Sequence, residues 1–221
     1  MARARRLPLA IAAVLALAGC GGSKHAAKTP TTTDATGCFT VSQPKPENRR
    51  APRPTTALDP SKRYVVTFRT NCGSFSVRLA VETSPRTTAS FVALVRRGYF
   101  DGTIFHRIVP GFVVQGGDPT ASGLGGPGYT TIDKPPASTR YTLGVAAMAK
   151  AGNQPSGAGG SQFFVVTAQD AQLPPDYAVL GDVVKGLPVV ERIGQLGDPA
   201  SGGQGTPTEI VEIEKATVAV S

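Results

Sequence analysis

The run Phe105-His106-Arg107-Ile108-Val109-Pro110-Gly111-Phe112-Val113-Val114-Gln115-Gly116-Gly117-Asp118 decides how the rest of the chain is read. Apolar and polar residues alternate through it, and Pro110-Gly111 interrupts the alternation as a turn would. Successive side chains of a strand point to opposite faces. Phe105, Arg107 and Val109 are therefore predicted to share one face, and His106 and Ile108 the other. Phe112 and Gln115 return along the partner strand and come near Arg107. The pattern sets a permanent cation beside an aromatic wall, with an amide side chain to steer it. Buried aromatics alone would read as core, but an isolated charge among them is costly unless something uses it.

This run resembles the signature of the cyclophilin-type peptidyl-prolyl isomerases. Gly160-Ser161-Gln162-Phe163-Phe164-Val165-Val166-Thr167 resembles a second signature of that family, and Tyr177-Ala178-Val179-Leu180-Gly181-Asp182-Val183 a third. The likeness spans about residues 62 to 219. It implies a mainly β fold, a closed eight-stranded antiparallel barrel capped by two helices. It also implies an enzyme of X-Pro bonds that needs neither cofactor nor metal. Arg107, Gln115 and Phe112 match catalytic positions: Arg107 as hydrogen-bond donor, Gln115 as the amide that orients it, Phe112 as a wall of the proline pocket. Phe164 and Leu173 match further walls. Val113 stands where many members have Met, which implies a slightly looser pocket. Ala149 and Gln162 match positions that bind the peptide backbone. Lys150 replaces a frequent Asn and leaves its main chain for that purpose. Tyr177 replaces a frequent His as a ring partner, and Gln172 a frequent Trp, which implies weak cyclosporin binding because an indole's area and donor are missing.

The chemistry asks for little more. Rotation about X-Pro is resisted by amide resonance, a barrier of about 18–20 kcal/mol. In the twisted state the imide nitrogen gains a lone pair. A guanidinium that meets it only then lowers the barrier selectively, and Arg suits the task because it stays charged and holds its donors in a rigid fork.

Three boundaries follow from composition. Residues 1–19 read as a signal peptide, with Arg3, Arg5 and Arg6 ahead of an apolar run from Leu7 to Leu17 that is too short to span a bilayer. The run ends in Leu17-Ala18-Gly19-Cys20, which resembles a bacterial lipobox. Cys20 is then the acylated residue, and the protein is expected outside the cytoplasm, anchored to a bacterial membrane through its N-terminal lipid. Residues 20–60 read as a disordered tether rich in Pro and Thr, interrupted by an apolar stretch, Gly37 to Val41, that could dock on the domain. Residues 61–221 read as the isomerase domain. With Cys20 acylated, Cys38 and Cys72 remain, and a disulfide between them is expected in an oxidising compartment. Two free thiols are the alternative, and neither has a His beside it to make a nucleophile.

The formal charge of +8 falls to +5 once the three leader arginines are removed. In an exported protein this favours solubility and mild attraction to anionic headgroups or cell-wall polymers over nucleic acid. Within the domain, Tyr64–Arg69 and Phe75–Leu79 read as a hairpin. Ser84 reads as an N-cap ahead of Pro85, in a helix ended by Gly98. A second helix is expected around Leu187 to Ile193, and a closing strand between Glu209 and Val220. Gly123-Leu124-Gly125-Gly126-Pro127-Gly128 matches a dinucleotide fingerprint only in letters, because no helix opens after it. His106 is expected to be a satisfied structural residue rather than part of a triad. Two functions stay open: an isomerase assisting exported proline-containing segments, with a monomeric domain, or a proline-peptide-binding, chaperone-like module with weak isomerase activity.

Overall fold

Tyr64, Val66, Phe68 and Thr70 are buried along strand β1 (Tyr64–Thr70) in the computed structural model of the chain, while the residues between them are not. This alternation seats β1 against one core. A tight turn at Asn71-Cys72 returns the chain as β2 (Gly73–Leu79). Helix α1 (Pro85–Arg96) follows, then β3 (Thr103–Ile104), β4 (Arg107–Val109), β5 (Val113–Gly116), β6 (Thr131–Ile132), β7 (Val145–Met148), β8 (Ala158–Gly159), β9 (Phe163–Val166) and β10 (Val179–Lys185). Helix α2 (Leu187–Gly194), short 3₁₀ turns within Pro199–Gln204, and β11 (Glu212–Val220) complete the described chain. The structure describes Met1 and residues 36–221. The expected signal peptide, the lipidation residue Cys20 and the first part of the tether lie outside the described residues.

The eight-stranded closed barrel expected from the sequence is found as a curled, antiparallel nine-stranded sheet in the order β3-β11-β1-β2-β10-β7-β9-β5-β4. Its two outermost strands, β3 and β4, are successive in the chain and separated only by Phe105 and His106. That break also corrects the face assignment. Phe105 and Ile108 are both fully buried in the main core, whereas Arg107 and Val109 are only partly covered. One continuous strand through 105–109 would have put Phe105 with Arg107. Instead β3 pairs with β11 and β4 with β5, and the irregular dipeptide between them shifts the alternation.

The main core is built on aromatic side chains. Phe68 stacks on Phe75 and on Phe163, each with ring centroids 5.0 Å apart, and Phe91 and Phe100 meet it edge-on. A second, smaller apolar cluster gathers Val113, Tyr141, Ala147, Phe164 and Val166. Phe163 and Phe164 are neighbours on β9, so the period of two sends one into each cluster.

Helix α1 buries Phe91, Val92, Leu94 and Val95 and stops where expected. Gly98, with φ of +66, donates to Val95 O, and Tyr99 donates to Leu94 O, the paired bonds of a left-handed glycine cap. Its start differs from the sequence reading. The Ser84 side chain makes no capping bond. The Thr87 amide donates instead to Asp133 Oδ2 at 2.6 Å, a cap supplied from 46 residues away. A cap of this kind contributes about 1 kcal/mol.

Residues 36–60 belong to the same compact unit as the sheet. They run over its surface as an extended strap, fastened by several contacts. Cys38 is disulfide-bonded to Cys72 in the first hairpin. Phe39 N donates to Asn71 O, Glu47 N to Pro119 O and Ala51 N to Pro127 O. Arg49 Nη1 donates to the carbonyls of Tyr99 and Asp101, at 2.7 Å each.

Candidate active site

Strand pairing places the candidate side chains. Arg107 on β4 stands opposite Gln115 on β5, which stands opposite Phe164 on β9. Residues in register across neighbouring strands share a face, so cation, amide and ring form one row.

The guanidinium is clamped. Arg107 Nε and Nη2 both donate to the Gly203 carbonyl, at 3.1 and 2.9 Å, and Nη1 donates to Gln115 Oε1 at 3.3 Å. No carboxylate among the described residues takes part. Three of the five N–H groups of an arginine are thereby engaged, leaving one on each Nη. Burial lowers the Arg107 pKa from its ordinary value, with Tyr177 acting against it; the side chain stays charged at neutral pH all the same. Gly203 was not foreseen. A main-chain carbonyl leaves no mark in sequence, and the Gly-rich stretch at 202–205 reads only as a loop.

Gln115 is itself oriented by a relay. Its Nε2 donates to Gln162 Oε1 at 3.1 Å, and Gln162 Nε2 donates to the Gly123 and Gly125 carbonyls at 2.9 Å each. Carbonyls only accept, so the loop dictates which way both amides point and turns the Gln115 oxygen toward Arg107. The sequence reading gave Gln162 to the peptide backbone; here its amide is committed to this relay. The loop is held in turn by Asp118, whose buried carboxylate accepts from the amides of Thr120, Gly123 and Gly125. Burial alone would raise its pKa. The Thr120 hydroxyl and these amides outweigh it and hold the carboxyl below the ordinary carboxylate range.

The apolar side of the site is the second cluster. Phe112, Val113, Ala149, Phe164, Leu173 and Tyr177 all pack in or against it. Phe164 meets the Tyr177 ring edge-on at 5.4 Å. Tyr141, absent from the sequence reading, is fully buried behind them; its hydroxyl donates to Tyr177 O and accepts from Tyr177 N, at 2.6 and 2.9 Å. Alternating apolar residues around it could have marked it as core, not as the support of Tyr177. Lys150 spends its side chain on the framework, ion-paired to Asp176 at 2.6 Å with Nζ 5.8 Å from the Tyr177 ring centre. Gln172 is exposed and adopts a left-handed backbone, with φ of +52.

His106 departs from expectation. Among the described residues neither ring nitrogen makes a well-formed hydrogen bond, the nearest polar groups being those of Ile104 and Gln162. Burial lowers its pKa, opposed by the Asp118 charge and assisted by that of Arg107. Between its folded and unfolded pKa values only the unfolded chain takes up a proton, so stability falls as pH drops below about 6.5. Urea unfolding between about pH 7.5 and 5 should show a loss of at most about 1.4 kcal/mol per pH unit, flattened in His106→Gln. A parent profile as flat as the variant's contradicts this.

Comparison with known proteins bears on the same residues. A family model described as cyclophilin type peptidyl-prolyl cis-trans isomerase/CLD matches residues 65–218. Over 157 residues the chain is 39% identical to a peptidyl-prolyl cis-trans isomerase-like 1 of Gibberella zeae, covering 69% of this chain and 93% of that one. Over 151 residues it is 36% identical to the peptidyl-prolyl cis-trans isomerase ppi1 of Schizosaccharomyces pombe, covering 66% and 96%. Among solved structures, a cyclophilin-type isomerase of Cryptosporidium parvum superposes with a TM-score of 0.64 at 28% identity, over 71% of this chain and 98% of that one. The same protein crystallised in the presence of the dipeptide Ala-Pro gives 0.63 at 29%, over 70% and 98%. The chain belongs to the cyclophilin-type peptidyl-prolyl cis-trans isomerases. The family match begins at residue 65, so the strap lies outside it.

Proposed function

We propose that the chain accelerates rotation about X-Pro bonds in exported proteins by donating a hydrogen bond from Arg107 to the imide nitrogen as the bond twists. One observation carries this reading. Arg107 is clamped through Nε and Nη2 to a carbonyl and through Nη1 to Gln115, beside an apolar cluster, with N–H groups to spare. Preorganised donors cost no rearrangement at the moment of reaction. Phe112, Val113, Phe164 and Leu173 grip the pyrrolidine ring, with Tyr177 as a further ring partner. The main chain at Ala149 and Lys150 takes the preceding peptide. The relative crystallised with Ala-Pro supports a proline-sized occupant. No bond to the enzyme forms or breaks.

The test is isomerisation of a proline peptide by the intact chain. A rate well above the spontaneous one supports the reading, and a rate equal to it transfers the site to peptide binding alone. Export is supported by the leader-like first 19 residues and by the Cys38–Cys72 disulfide, since such bonds persist in oxidising compartments. The Leu17-Ala18-Gly19-Cys20 ending supports a lipid on Cys20. In a bacterial host, Cys20→Ser should move the protein from the membrane to the soluble fraction and abolish incorporation of labelled fatty acid. Unchanged partition and labelling overturn the anchor.

A further inference from the structure

Next to the Arg107–Gln115 pair lies a groove of about 780 Å³, which Gln115, Ala149 and Gln162 help to line. All its lining residues fall between 115 and 162 except two, Asn48 and Arg50, which come from the strap.

Arg50 is held at the groove by its neighbours. On one side Arg49 is tied to the carbonyls of Tyr99 and Asp101, and on the other Ala51 N donates to Pro127 O at 3.0 Å. Gly128, with φ of +89, leaves the space the guanidinium needs; a Cβ at that position would stand 2.9 Å from Arg50 Nη1. The charge around it is one-sided. No Asp or Glu lines the groove. Lys150, the other cation there, is neutralised by Asp176, and Asp118 is occupied by loop amides. Glu47 is paired with Arg49. Arg50 has no ion-pair partner among the described residues.

We infer that Arg50 is a specificity-determining residue, recruiting client segments that carry Asp or Glu within about three residues of the proline. The inference rests on the isomerase reading of the adjoining site. A guanidinium fork matches a carboxylate in two hydrogen bonds, and a client held at Arg107 extends into the groove at about 3.3 Å per residue. Because Arg50 is exposed, the preference is modest and sensitive to salt: about three- to five-fold in kcat/KM at low ionic strength, shrinking as added salt shortens the Debye length.

The experiment uses the intact chain and matched proline peptides carrying Glu, Gln or Lys at each of the three positions on either side of the proline in turn. The expected order is Glu above Gln above Lys at one or more positions. It should collapse in Arg50→Gln and with added salt, and reverse in Arg50→Glu. Loss of a merely structural strap contact would lower all three peptides together and could not reverse their order. Equal rates for Glu, Gln and Lys peptides at every position, with isomerisation well above the spontaneous rate, overturn this inference and leave the isomerase reading standing. Should no peptide turn over, that reading fails on its own. Fluorescence anisotropy of the same peptides then decides the inference: tighter binding of the Glu peptide, lost in Arg50→Gln, upholds it, and equal binding overturns it.

Discussion

On the proposed mechanism, replacing Arg107 with alanine should lower kcat/KM for proline-peptide isomerisation by about 10²–10³, the usual consequence of removing one preorganised donor. Binding of a proline peptide should weaken far less, because the apolar walls at Phe112, Phe164 and Leu173 are untouched. Arg107→Lys should recover little. A lysine has a single nitrogen, whereas Arg107 uses Nε and Nη2 on Gly203 and Nη1 on Gln115 and still keeps one N–H on each Nη unengaged by these bonds. Thermal unfolding of the variants checks that the fold persists. An Arg107→Ala enzyme within about three-fold of the parent would show that the proline pocket works without this donor.

Removing the Cys38–Cys72 bond has the largest expected effect on stability. Both cysteines are buried, and the bond joins positions 34 residues apart. In the chain-entropy model, closing such a loop stabilises the folded state by roughly 3–4 kcal/mol. The native side adds to this. Asn71, next to Cys72, donates from Nδ2 to the Phe39 and Ile210 carbonyls and accepts the Glu212 amide at Oδ1, so one residue joins the strap, the first hairpin and the last strand. Cys38→Ser with Cys72→Ser should lower the unfolding free energy by that amount in urea, and a reductant should then have no further effect. A loss under about 1 kcal/mol would mean that the strap holds without the crosslink.

The site was legible where side chains announce themselves. Arg107 and Gln115 meet across the Pro110-Gly111 turn as the pattern led one to expect. The place of Phe164 in the same row, and the division of Phe163 and Phe164 between core and site, follow instead from strand register, which no short pattern carries. What stayed hidden came from main chain and from distance. The Gly203 carbonyl that clamps Arg107 has no side chain to betray it. Ser84 has the right type and position for a cap, yet the cap is Asp133, brought in by tertiary packing. The strap misled for a related reason. Its composition offers few core-forming residues, and so it reads as tether. Beyond the expected pin at Cys38–Cys72, it docks through Ala51 and Leu58 packed on the main core. It docks also through backbone amides and an arginine that reaches two carbonyls, which hydrophobicity does not register.

The docked strap also shortens the leash. A linker running from Cys20 to Pro60 would let the enzyme patrol a wide shell above a bilayer. With the chain pinned at Cys38, only the 18 steps from Cys20 to Cys38 remain to pay out, at most roughly 60–65 Å even if pulled straight. An enzyme acylated at Cys20, as proposed, would work close to the lipid surface, within reach of polypeptides as they leave the membrane rather than of those already diffusing free.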